Sequence, residues 1–239
     1  GTGGINVSAK DTAVIRATSV ALGLSANLSA DASNTASKST LAIALSLADN
    51  SITSEVAARI TQVANLATLG DVTVAANRSA DIFAQTIAAA VGAQISSKGD
   101  GASVSGGGAL AINTVEGSTI AEITDSKVGD AANGGAKVGS LAVTATDAAK
   151  VVALTGAAAI TLAGTAEGKS TGVAFGVSAA RNVIGTSGTA VRATVSGTPV
   201  RSTGAVGVRA ESKADIDATT VTVAVGVSGS GSGDSLSAS

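Results

Sequence analysis

The chain has 239 residues, 45% of them hydrophobic and 13% charged, with a formal net charge of −2 and no Cys, His, Met, Trp or Tyr. Without His or Cys there is no Ser-His-Asp triad, no Cys nucleophile, no ordinary zinc site and no haem or iron–sulfur ligation. Scattered Lys and Arg with no aromatic stacking set argue against nucleic-acid binding, and no apolar run approaches the roughly 18 residues of a spanning helix.

The first predicted element is an alternating segment over 5–17, with Ile5, Val7, Ala9, Ala13, Ile15 and Ala17 at every second place. Strict alternation is the mark of a half-buried strand. The pattern returns from Val72, Leu141 and Val206, at offsets of 67, 69 and 65 residues. A conserved parity over such intervals is the signature of stacked β-repeats, because a slip of one residue would turn each core side chain to water.

A second segment follows in each copy, with apolar columns beginning Val20-x-Leu22-x-Leu24, Ile87-x-Ala89-x-Val91, Gly156-x-Ala158-x-Ile160 and Val221-x-Val223-x-Val225. By the same alternation these columns are read as core. A third segment runs through Leu41, Ile43, Leu45 and Leu47 to Asn50, and its equivalents end at Asn113 and Asn182. A fourth, less regular one lies at 56–60, 120–123 and 191–195. The Ala-rich 53–67 could be helical by propensity, yet its equivalents are rich in Gly, Thr and Val, so it is read as strand. Variable loops are expected at 96–102, 125–139 and 196–204.

The expected fold is therefore all-β, a repetitive β-solenoid, with a right-handed parallel β-helix favoured. The repeats are 5–71, 72–140, 141–205 and an incomplete 206–239, which stops after its second segment in a Gly/Ser stretch. Each unit of about 67 residues is expected to make two coils of about 33, giving a stack roughly 33 Å tall at about 4.8 Å per coil. Neither end reads as a cap, so 1–239 is expected to be one solenoid segment of a longer chain. The abundance of Ala predicts a thin core between closely spaced sheets.

Asn50, Asn113 and Asn182 are the leading individual positions, candidates for a structural ladder of side-chain amides. Two coils per unit would set them about 9.6 Å apart, with a gap between. The functional alternative is a polar row that binds sugar. Asp100, Asp130 and Asp234 lie in Gly-rich turns that could offer oxygen ligands to calcium, although ordinary turn chemistry accounts for them. Glu116, Glu122 and Asp125 are the densest acidic group. A carboxylate pair could serve a glycosidase, but an exposed charged face with no accompanying Arg, Lys or Tyr set explains it better.

The run 108–123, GALAINTVEGSTIAEI, followed by a Gly-rich turn and LAVTATD at 141–147, resembles the repeats of giant bacterial surface proteins, the filamentous-haemagglutinin-like and leukotoxin-type adhesins. The resemblance covers essentially the whole chain. It implies a secreted or surface-exposed β-solenoid with shaft, adhesive or scaffolding roles, and it carries no catalytic motif and no cofactor. On this reading the chain is non-enzymatic, and its partners would be a host-cell, glycan or neighbouring-cell surface. The alternative is a self-associating subunit of an extracellular fibre or sheath.

Overall fold

The computed structural model describes residues 3–31, 33, 35–129, 137–186 and 188–239. Four strands make each of the first three turns of the chain. The first coil contains β1 (Ile5–Asp11), β2 (Val14–Ser29), β3 (Lys38–Thr53) and β4 (Val56–Thr61), and the second β5 (Val72–Arg78), β6 (Asp81–Lys98), β7 (Gly101–Glu116) and β8 (Thr119–Thr124). The third has β9 (Leu141–Asp147), β10 (Lys150–Glu167), β11 (Ser170–Ile184) and β12 (Val191–Ser196), and the fourth β13 (Val206–Ser212), β14 (Asp215–Ser230) and β15 (Ser235–Ala238).

Equivalent strands stack as four parallel sheets, ordered β1-β5-β9-β13, β2-β6-β10-β14, β3-β7-β11-β15 and β4-β8-β12. Ile5 lies opposite Val72, Val72 opposite Leu141 and Leu141 opposite Val206. The chain is thus an all-β solenoid with in-register parallel ladders. Successive copies pair directly, which corrects the expectation of two coils per unit: the segment a half-unit further on forms the opposite wall instead. The stack is four strands deep, roughly 19 Å at about 4.8 Å per coil. Each coil is correspondingly wide, with two strands of about 16 residues (β2 and β3) end to end with the short ones.

Two other expectations are corrected. The fourth copy does not stop after its second segment, because Ser235–Ala238 pairs with β11 and begins a third. The segment is only four residues, Ser-Leu-Ser-Ala, with Leu236 its single large apolar residue, so no alternating apolar run announces it. The loop expected at 96–102 is mostly strand, since β6 runs to Lys98 and β7 starts at Gly101. Lys38 and Gly101 donate their N–H groups to Asp100 and Lys169 carbonyls, so the ladder passes through the turn. The strand reading of 53–67 is met over Val56–Thr61, and beyond it Leu66 makes a single bridge to Val128.

The interior changes along the coil. Between the two short sheets Val56, Ile60, Val72, Val74, Ile123, Leu141 and Val143 form an aliphatic core. It continues past the bend with Ile52, Ile82, Val115 and Val151. Deeper between the long sheets the buried set is alanine, at 42, 44, 88, 90, 109 and 157. The walls there almost touch: a Cβ on Gly23 would lie 2.5 Å from the Ile43 carbonyl oxygen, and one on Gly107 2.5 Å from that of Ala158.

This taper reverses the expected facing of the second and third segments. Ile15 and Ala17 point inward with their equivalents, and β2 continues without a bulge, so the even positions from Val20 onward point out. Leu22, Leu24 and Leu28 are 79%, 81% and 72% exposed, and on the opposite wall Leu41, Ile43, Leu45 and Leu47 are exposed too. The residues facing in are Ser19, Ala21, Gly23 and Ser25 on one wall and Ala42, Ala44, Ser46 and Ala48 on the other. Ser46 Oγ donates to the Ser19 carbonyl at 2.9 Å, and Thr40 Oγ1 to Ser103 Oγ at 2.8 Å. The Thr86 and Thr155 hydroxyls and the Gln94 amide find no partner among the described residues, so polar contacts satisfy this interior only in part.

Candidate functional site

Two columns of side chains, one charged cluster and one kind of surface distinguish this solenoid. The first column is the asparagine one, near the end of β3, β7 and β11. Asn50 stands opposite Asn113, and Asn113 opposite Asn182. Asn50 Nδ2 donates to Asn113 Oδ1 at 2.8 Å, and Asn113 Nδ2 to Asn182 Oδ1 at 2.8 Å. Neighbouring coils supply neighbouring amides, so the gap expected between them does not exist. Asn113 is wholly buried and faces the interior, where a sugar cannot reach it. Asn113→Ala removes both bonds and strands an amide on each side. It is expected to cost about 1–3 kcal/mol, as a lower urea midpoint with an unchanged slope.

The second column runs Asp11, Arg78, Asp147 and Ser212, which the ladder sets at one position of successive coils. Arg78 and Asp147 are 3% exposed each. The guanidinium meets the carboxylate bidentately, Nε to Oδ1 at 3.1 Å and Nη2 to Oδ2 at 2.6 Å. Its Nη1 donates to the Glu116 carbonyl at 2.7 Å. Glu116 ends β7 on the opposite wall, so this one arginine ties coil to coil and wall to wall at the bend. Sequence reading passed over the pair, although aligned copies place acid, base and acid in one column.

A charged cluster lies on the outer face of β4, β8 and β12: Arg59 stands opposite Glu122 in the ladder, and Arg192 reaches Glu122 diagonally, two residues before its β12 partner Thr194. Glu122 Oε1 lies 2.8 Å from Arg59 Nε, and its Oε2 3.1 Å from Arg192 Nη2. This corrects the reading of the acidic group as lacking basic companions: parallel stacking brings together arginines 63 and 70 residues away. Glu116 turns its backbone to Arg78, and Asp125 takes a positive φ of 48° at the turn after β8. The three acidic residues are therefore spread over different structural tasks. Exposed pairs of this kind hold charge in register at little net gain in stability.

The turn aspartates serve the backbone. Asp100 Oδ1 accepts from the Lys169 N–H at 2.9 Å, and the Asp234 carbonyl accepts from Ser170 N–H at 3.0 Å. Asp130 lies outside the described residues. Among the described residues no three acidic groups gather as a metal site. On β13, Arg209 and Lys213 donate to Glu211 and hold its carboxyl below the usual carboxylate range.

The remaining feature is the exposed aliphatic surface on both long sheets. Large contiguous apolar patches on a protein surface mark contact sites, and here Leu22, Leu24 and Leu28 on one wall and Leu41, Leu45 and Leu47 on the other are all more than half exposed. Depressions interrupt this surface. One of about 390 Å³ lies among Leu45, Leu47, Gly108, Leu110 and Val177, and another of about 710 Å³ among Leu28, Ile95, Gly164 and Gly229. This surface suits contact with another apolar surface. A scan against protein-family models, a search of curated proteins and a search of solved structures each return no match.

Proposed function

We propose that this chain is a non-enzymatic structural segment of a large bacterial cell-surface or secreted protein, a stiff β-solenoid acting as shaft or adhesive surface. The observation that carries this reading is the continuity of the ladders. Each joint between full coils is held by four sheets at once, by the asparagine column and by an ion pair to Glu122, so coils resist both sliding and peeling. Repetition of one unit suits a part whose task is length and stiffness, with stability accumulating from coil to coil. Host-cell, glycan or neighbouring-cell surfaces are the partners in this reading, and the resemblance of 108–123 to adhesin repeats points the same way.

Immunogold labelling of intact producing cells with antibodies to the folded chain tests the location. Label on the outer surface or on shed material is expected. Label that appears only after permeabilisation would contradict the proposal. A second reading, a self-assembling subunit of an extracellular fibre or sheath, is favoured by one observation, the aliphatic outer walls.

A further inference from the structure

We infer that the outer face of the β2-β6-β10-β14 sheet is a self-complementary interface, which pairs two copies of this chain about a two-fold axis running along the strands. The inference rests on the second reading only in requiring contact between copies, and it differs in predicting a closed pair in place of a fibre.

A two-fold axis along the strands, placed between β6 and β10, keeps each position along the strand but reverses the strand order. β2 then faces β14 of the second copy, and β6 faces β10. At three places large meets small under this operation, while Leu24 meets Val225 and Val91 meets Ile160 as aliphatic pairs. Ile87 comes opposite Gly156, Ile95 opposite Gly164 and Leu28 opposite Gly229, since these residues share columns in the ladder. A Cβ added at Gly156, Gly164 or Gly229 would meet nothing within 4 Å, so the floor there is open. The depression of about 710 Å³ is walled by Leu28 and Ile95 and floored by Gly164 and Gly229. The same side chains of the second copy would enter it, large onto small, twice.

Charge follows the same symmetry. Arg16, Phe83, Val152 and Asp217 occupy one column, with the arginine on the first strand and the aspartate on the last. Both are exposed, and neither has an ion-pair partner among the described residues. Reversing the strand order brings Arg16 over Asp217 of the second copy, and the symmetry makes two such pairs. One column earlier Asp81 comes over Lys150.

The area suffices. Fifteen residues from Val14 to Leu28 span about 46 Å, and four strands about 19 Å, or close to 900 Å² per copy. A stable interface takes about 800 Å² from each partner, and aligned sheets pack face to face at about 10 Å. Aliphatic centre, polar end and unpaired complementary charge are the parts of such an interface.

Sedimentation velocity over a range of concentrations tests this on the purified chain. A monomer–dimer equilibrium that stops at the dimer is expected. Arg16→Asp and Asp217→Arg should each weaken it about tenfold or more, and the double reversal Arg16→Asp/Asp217→Arg should restore it. Both side chains are solvent-exposed, so circular dichroism should show all three variants folded. A monomer up to the solubility limit overturns the inference, whether or not it floats with liposomes. Open-ended filaments overturn the closed pair while leaving the fibre reading in place, and a dimer indifferent to both charge reversals overturns the assigned face.

Discussion

Replacing Arg78 with Leu is expected to lower the stability of the chain by about 3–5 kcal/mol, read as a fall in the urea midpoint. Two effects combine. Asp147 is left charged and 3% exposed, without the bidentate partner that justified its burial. The Glu116 carbonyl on the opposite wall loses its donor as well. The double variant Arg78→Leu/Asp147→Leu removes both charges together, and it should recover most of the loss, since apolar residues of similar volume often replace a buried pair at no net cost. Arg59→Ala is the control. Its side chain is 42% exposed, and its loss should cost less than about 1 kcal/mol.

The second large effect concerns the thin half, where hydropathy and packing point in opposite directions. Gly107→Val should destabilise by about 3 kcal/mol, at the upper end of overpacking costs, because its Cβ would sit 2.5 Å from a backbone oxygen that no side-chain rotamer can move. Leu45→Ser should change stability by no more than about 0.5 kcal/mol, since the side chain is 75% exposed. A conventional sandwich with Leu45 in its core would show the reverse ranking, with the leucine costing several kcal/mol. Equilibrium urea unfolding of both variants, read by circular dichroism, decides between the two.

These cases also show where reading the sequence succeeds and where it stops. The register of β1, β5, β9 and β13 was legible because Ile, Val and Leu alternate with polar residues there, and the ladder pairs Ile5, Val72, Leu141 and Val206. The asparagine column was legible for the same reason, a single polar type recurring at one place. Coil number was not, because alternation is a property of each strand, and nothing in it tells which other strand lies alongside. Facing failed from Val20 onward for a physical reason. In Val20–Leu28 large apolar residues alternate with Ser, Ala, Gly and Asn, and alternation alone assigns the large ones to the core. The aliphatic packing of Ile15 and its equivalents fixes the parity of the strand, however, and an unbroken strand must keep it. Once the walls have closed to backbone contact at Gly23 and Gly107, only small residues fit between them. The Arg78–Asp147 pair and the arginines flanking Glu122 were hidden differently, because the residue type changes from copy to copy there and no single type recurs to mark the place.

The facing of the long strands is the central claim, and the absence of cysteine from the chain makes it directly measurable. Single cysteines would be introduced on the β3-β7-β11 wall as Leu45→Cys, Val177→Cys, Ala44→Cys and Ala109→Cys, and their rates of reaction with a maleimide compared under native conditions. Leu45 and Val177 are 75% and 64% exposed, whereas Ala44 and Ala109 are 3% and 4% exposed. The account predicts fast labelling at the first two positions and protection at the last two until urea unfolds the chain. Fast labelling at 44 and 109 with protection at 45 and 177 would contradict it.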